Sequence, residues 1–160
     1  MGERGVITTR KDIDENGIGV YLHWLGAPED VYPLLEYCRI RGFRCPEDDS
    51  FGYAGLIQVA ANASDGDGLS VDVNRLDHLD TNNWNNGTYV IEGWKVVKRL
   101  YCSDEEPEID DFFENLRDFD RAQPYDQKIG DVMLRALWER DLTIPEVASS
   151  FYTITGCNEF

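Results

Sequence analysis

The first apolar runs of the chain are short and rich in β-branched and aromatic residues. Gly5-Val-Ile-Thr-Thr-Arg10 and Ile18-Gly-Val-Tyr-Leu-His-Trp24 have strand composition. Between them, Asp12-Ile-Asp-Glu-Asn-Gly17 closes on Asn-Gly, a pair that tolerates φ > 0 and predicts a hairpin. The period then changes. In Glu29 to Gly42 the apolar positions Val31, Leu34, Leu35 and Cys38 fall at helical spacing, with acids first, arginines last and Gly42 as a stop. Pro33 suits the first turn, where a missing N–H costs little. Ser50 to Asn62 predicts a second helix, with Leu56, Ile57, Val59 and Ala60 on its apolar side. Leu69-Ser-Val-Asp-Val73 alternates with period two. Thr88 to Glu92 and Trp94 to Tyr101 predict two adjacent strands joined at Glu92-Gly93. The predicted order is ββααβββ.

At Ser103 the pattern shifts to helix. Ile109, Phe112, Phe113, Leu116 and Phe119 share one helical face up to Arg121. After Gln123-Pro124, Ile129 to Arg140 predicts another helix with Val132, Met133, Ala136 and Leu137 inward, and a short helix from Pro145 leads into an aromatic tail. The expected architecture is α+β: a mixed or antiparallel sheet of about five strands with two packed helices over 1–102. An acidic helical extension over 103–160 is expected to pack on the same domain.

A chain of 160 residues with 42% hydrophobic residues can bury a core without metal or disulfide support, and its composition is not that of a disordered acidic tail. Its formal charge of −16 disfavours direct binding to nucleic acid or to an anionic membrane. No run reaches the ~18 apolar residues of a membrane span. The first residues lead into a strand and not into an apolar signal core, so a cytoplasmic location is expected. Cys38, Cys45, Cys102 and Cys157 form no CxxC and have no histidine nearby, which predicts reduced thiols and no cofactor.

Asp12-Ile-Asp-Glu-Asn-Gly17 matches half of a calcium loop, but its twelfth position is His23 where a bidentate Glu is needed, so hairpin is the stronger reading. Asp65-Gly-Asp-Gly68 is first of all turn chemistry. His23, His78, Asp65 and Asp67 are the residues a hydrolase or metal-dependent enzyme would use. No nucleophile elbow, P-loop or zinc-helix motif accompanies them, and the expectation is a protein without catalysis. Trp84, set among Asn82, Asn83, Asn85 and Asn86, either anchors a protein interface or folds back over the sheet.

The charge is uneven. Residues 45–80 carry eight acids against Arg75 alone, and 104–121 carry nine against Arg117 and Arg121, while 81–103 are net basic. Acidity of this kind keeps a surface solvated. Carboxylates spread over a rigid frame also imitate a row of phosphates and pair with the Arg and Lys of a groove built for nucleic acid. On this reading Asp104, Glu105, Glu106, Glu108, Asp110, Asp111, Glu114 and Asp118 form the main contact set, with Asp120 also on the outer side of the helix. Asp65, Asp67, Asp72, Asp77 and Asp80 form a second candidate surface, and Trp84 a further contact.

At Gly17-Ile-Gly-Val-Tyr-Leu-His-Trp24, Gly42-Phe-Arg-Cys-Pro-Glu-Asp-Asp49 and Gly87-Thr-Tyr-Val-Ile-Glu-Gly-Trp-Lys95 the chain resembles small acidic proteins encoded by phages and integrated mobile elements of Gram-positive bacteria. The resemblance covers about residues 5–102 and leaves the C-terminal helices unmatched. It carries no catalytic signature and transfers no site residue. It implies a context in which anti-CRISPR and antirestriction inhibitors occur, several of them DNA mimics. The expected function is a non-enzymatic inhibitor of a host defence nuclease, its partner a basic nucleic-acid-binding protein. The alternatives are an adaptor that binds through an apolar patch at Trp84 or at Phe151, Tyr152 and Phe160, and the enzyme named above.

Overall fold

The computed structural model describes residues 2–64 and 70–148. It is an α+β protein with the expected order of elements. Strands β1 (Gly5–Thr8), β2 (Ile18–Leu22), β3 (Val71–Arg75), β4 (Thr88–Glu92) and β5 (Lys95–Leu100) form one sheet in the order β3-β2-β1-β4-β5. The sheet is mixed: β1 and β4 run parallel, and every other neighbouring pair is antiparallel.

The two hairpins turn in different ways. Asn16 and Gly17 do not adopt positive φ. Instead Asp14 turns the chain, its Oδ1 accepting the Asn16 N–H at 2.9 Å while Arg10 clamps its other oxygen at 2.8 Å. At the second hairpin Gly93 (φ 58) and Trp94 (φ 63) both occupy the left-handed region, the requirement of a tight two-residue turn whose twist matches its strands. Trp94 is therefore the second turn residue and not the first residue of β5. Its ring is buried and its indole N–H donates to the Phe43 carbonyl at 2.9 Å.

Paired residues share a face of a sheet and successive ones alternate. Ile7, Val20, Leu22, Tyr89 and Ile91 accordingly point to one side, where they meet α1 (Pro28–Arg41) and α2 (Phe51–Ala63) in a single buried cluster. The same cluster takes in Leu116 and Phe119 of α3 (Phe112–Arg121) and Leu134 and Leu137 of α4 (Asp131–Glu139). Both C-terminal helices pack against α1. The opposite sheet face carries Val6, Thr8, Thr88 and Val90 and is covered by the segment 76–86. Buried Leu76 donates its N–H to the Gly17 carbonyl there, and Thr88 Oγ1 donates to the Thr81 carbonyl at 3.0 Å.

Three further expectations need correction. Val132 and Met133 are exposed and the inner face of α4 is Leu134 and Leu137, because the helix starts at Asp131 and meets α1 from the other side of its apolar stripe. The helix predicted from Ile109 begins at Phe112. Asp120 is not on the outer side of α3: it is buried, 1% exposed, and its carboxylate accepts from Tyr37 Oη at 2.7 Å and from the N–H groups of Ile129 and Gly130 at 2.8 and 2.9 Å. A carboxylate held there takes the N–H of the α4 N-cap Gly130 and of the residue before it, and lies near the positive end of the helix dipole. The predicted aromatic tail, Phe151, Tyr152 and Phe160, lies outside the described residues, as does Cys157.

Candidate partner-binding surface

The main acidic set falls on an irregular segment and the first two turns of α3. Asp104, Glu105, Glu106, Glu108, Asp110 and Asp111 lead into the helix, and Glu114 and Asp118 follow on its outer side, one turn apart. All eight are exposed. None of the eight forms an ion pair among the described residues. Asp104 alone is engaged, its Oδ1 accepting the main-chain N–H of Arg99. Beneath Glu114 and Asp118, Leu116 and Phe119 fix the inner face of α3 in the core and Asn115 Nδ2 donates to the Glu29 carbonyl at 2.9 Å.

The second acidic set is differently placed. Asp72 lies on edge strand β3 opposite Tyr21, on the sheet face away from the helices. Asp77 is paired with Arg75 at 2.8 Å and Asp80 with Arg4 at 3.9 Å, both in or beside the covering segment. The sheet thus separates these acids from α3, and the two sets do not make one surface. Asp65 and Asp67 lie outside the described residues.

Trp84 does not fold back over the sheet: it is 89% exposed, with φ 56. Buried Asn83 organises this loop. Its Nδ2 donates to the carbonyls of Asp80 and Gly87, and its Oδ1 accepts from the N–H groups of Asn85 and Gly87. A left-handed conformation is uncommon for a non-glycine residue, and a bulky one here gains no packing from it.

Sequence reasoning missed an acid at the start of α1. Asp30 and Asp118 line a cavity of about 200 Å³ with Leu25, Asn115 and Phe119. Burial pushes the Asp30 carboxyl up to about 6, and the nearby charges of Glu29, Glu3 and Asp118 push in the same direction. In sequence Asp30 reads only as a first-turn acid favoured by the helix dipole, and nothing local signals the approach of α3.

Of the residues named for catalysis, His23 and His78 lie beyond opposite ends of the paired strands β2 and β3. His23 shares a 3.0 Å hydrogen bond between Nδ1 and Tyr21 Oη and stacks edge-on with Trp24 at 4.7 Å. His78 stands exposed on a single 3-10 turn, Leu76–His78. The thiol of Cys38 is fully buried, and desolvation raises its pKa strongly. The donor atoms of Cys45, Glu47 and Asp48 lie within 4.8 Å of one another, a metal-capable group that the sequence reading did not single out. One oxygen of Glu47 already accepts the Gly93 N–H, which ties that side chain to the β4–β5 turn. Among the described residues no helix is long and apolar enough to cross a membrane. No protein-family model matches the chain, and no curated protein or solved structure matches it either.

Proposed function

We propose that the protein is a non-enzymatic inhibitor of the kind carried by phages and mobile elements, of anti-CRISPR or antirestriction type. It sets the carboxylates of Asp104–Asp118 into the basic nucleic-acid-binding groove of a host defence nuclease. The observation that carries the reading is that eight exposed carboxylates, two on the packed helix α3 and six on the segment leading into it, form no ion pair among the described residues. A surface acid that serves folding commonly finds a partner, as Asp77 and Asp80 do. Unpaired acids in a row repel one another and are available to an Arg- and Lys-lined partner. This favours the α3 side over the Asp72, Asp77 and Asp80 side. Binding then weakens as salt rises, and single substitutions cost little because each exposed pair is screened. The test is the combined change Asp111→Lys, Glu114→Lys and Asp118→Lys, which abolishes inhibition on this account and leaves it intact if the surface is only solubilising.

A second reading rests on Trp84. An exposed indole held out by a buried asparagine network suits an adaptor that docks through one aromatic anchor. Its binding is insensitive to salt and lost on Trp84→Ala, which separates it from the acidic surface.

A further inference from the structure

The loop between α1 and α2 carries Cys45, Pro46, Glu47, Asp48 and Asp49, and three of its side chains converge. The Cys45 carbonyl accepts the N–H groups of Asp48 and Asp49 at 3.0 and 3.1 Å, a turn that folds position 48 back towards position 45. Cys45 Sγ and one carboxylate oxygen each of Glu47 and Asp48 lie within 4.8 Å of one another. The cysteine is half-buried and both acids are exposed. Glu47 is also held from elsewhere in the chain. Its Oε1 accepts the Gly93 N–H of the β4–β5 turn at 2.5 Å, which leaves its second oxygen without a partner.

Folding uses the neighbouring acid and not these two. Asp49 Oδ1 accepts the Phe51 N–H at 2.9 Å, and its Oδ2 takes Arg44 at 2.7 Å. Arg44 is thereby committed, its guanidinium also 5.3 Å from the centre of the Phe51 ring. Neither Glu47 nor Asp48 forms an ion pair among the described residues, and Lys11, which lines a cavity of about 190 Å³ beside Glu47, pairs with neither. Cys45 Sγ and the Asp48 carboxylate likewise have no hydrogen-bond partner among those residues. Two carboxylates this close repel each other unless a cation stands between them. The donor set decides which cation. Calcium and magnesium take oxygen ligands, whereas a thiolate beside carboxylates suits zinc and its borderline neighbours. Donors about 2.0–2.3 Å from a tetrahedral zinc stand roughly 3.5 Å apart, so the group closes by little more than 1 Å, within reach of two exposed side chains.

We propose that Cys45, Glu47 and Asp48 form a binding site for a divalent cation of the zinc class, with water in the fourth position. On binding, the Cys45 thiol gives its proton to solvent and ligates as thiolate, and each carboxylate supplies one oxygen. The second Glu47 oxygen keeps the Gly93 N–H, the kind of outer hydrogen bond that orients a ligand. The ion therefore fastens the loop ahead of α2 to the β4–β5 turn. The site shares no residue with the acidic set of Asp104–Asp118 and does not depend on nuclease inhibition.

The test uses the full chain with Cys102→Ser and Cys157→Ser, which leaves Cys45 and the fully buried Cys38 as its thiols. Co²⁺ is titrated as the probe and then displaced with Zn²⁺. The expected result is one equivalent of bound Co²⁺ with a sulfur-to-metal charge-transfer band that Zn²⁺ bleaches. In isotope-labelled protein Zn²⁺ is expected to shift the amide resonances of Glu47, Asp48 and Gly93. Cys45→Ser is expected to abolish the band. Glu47→Gln keeps an oxygen for the Gly93 N–H and, like Asp48→Asn, is expected to weaken binding at least about tenfold, the loss that even a supporting residue around a metal produces. Both acids are exposed, so these two variants leave the core untouched. No saturable band, a band that survives Cys45→Ser, or unchanged affinity in either carboxylate variant overturns the proposal. In the last case the thiol takes up metal without the carboxylates.

Discussion

Asp120 offers the sharpest test of how the acidic helix is built into the fold. Its buried carboxylate receives three donors from three places: the Tyr37 hydroxyl of α1 and the main-chain N–H groups of Ile129 and Gly130 ahead of α4. Asp120→Ala removes all three acceptor interactions and leaves those donors facing a void. Hydrogen bonds to a charged group contribute about 1.5–3 kcal/mol each, and stripping the partner from a buried polar group adds its desolvation cost. The three are not additive, because the loosened start of α4 recovers some water, so the expected loss is about 3–5 kcal/mol. Tyr37→Phe removes a single donor and is expected to cost about 1.5 kcal/mol. In the double variant the Phe substitution adds little, because its partner has already gone. Urea unfolding followed by tryptophan fluorescence and by far-ultraviolet circular dichroism measures each value by linear extrapolation. A cost below about 1 kcal/mol for Asp120→Ala, or full additivity with Tyr37→Phe, refutes the reasoning that this carboxylate joins α1, α3 and α4.

Other expectations follow from the same geometry. Asp30, raised from 3.8 to about 6, keeps its proton in the folded state between those values, so its contribution to stability is full below about pH 4 and lost as pH rises through 6. Asp30→Asn is therefore expected to stabilise the protein at pH 7 by about 1 kcal/mol, discounted because the group is partly exposed, and to change nothing at pH 4. Urea midpoints of both proteins at the two pH values check it. Trp84→Asn places a residue that tolerates the left-handed region at φ 56 and is expected to raise stability by about 0.5 kcal/mol. A loss in thermal unfolding contradicts the view that the indole gains nothing from packing. Leu116→Ala, at a fully buried position under the acidic face of α3, is expected to cost about 2–5 kcal/mol in the same urea assay.

The order of elements was legible because each carries its own local period. The alternation in Val71–Val73 and the helical spacing of Val31, Leu34, Leu35 and Cys38 act within a few residues. Gly93 marked a turn for a reason internal to the turn. What was not legible depended on partners distant in sequence. The parallel pairing of β1 with β4 joins Ile7 to Tyr89, and no local pattern carries that information. Asp120 stands four residues after Leu116 and seven after Phe113, on the apolar side of α3, so its spacing already set it apart from Glu114 and Asp118, while its partners Tyr37, Ile129 and Gly130 emerged only in three dimensions. Val132 and Met133 are as apolar as Leu134 and Leu137, and which side of α4 meets α1 is a matter of packing. Asp104 to Asp118 stood out as an acidic run, but that none of its acids forms an ion pair among the described residues emerged only in three dimensions. Asp30 and Asp118 come together by helix packing alone.

The central claim is that the carboxylates of Asp104–Asp118 occupy a nucleic-acid-binding groove. Its most direct measurement is capture from a Gram-positive bacterial lysate on immobilised protein, in parallel with the Asp111→Lys, Glu114→Lys, Asp118→Lys variant. Bound proteins are eluted by a salt gradient or by duplex DNA and then identified. The account predicts a basic nuclease that the wild-type protein retains, that salt and DNA each release, and that the variant does not hold. A partner that resists salt and DNA, or that the variant holds equally well, contradicts it.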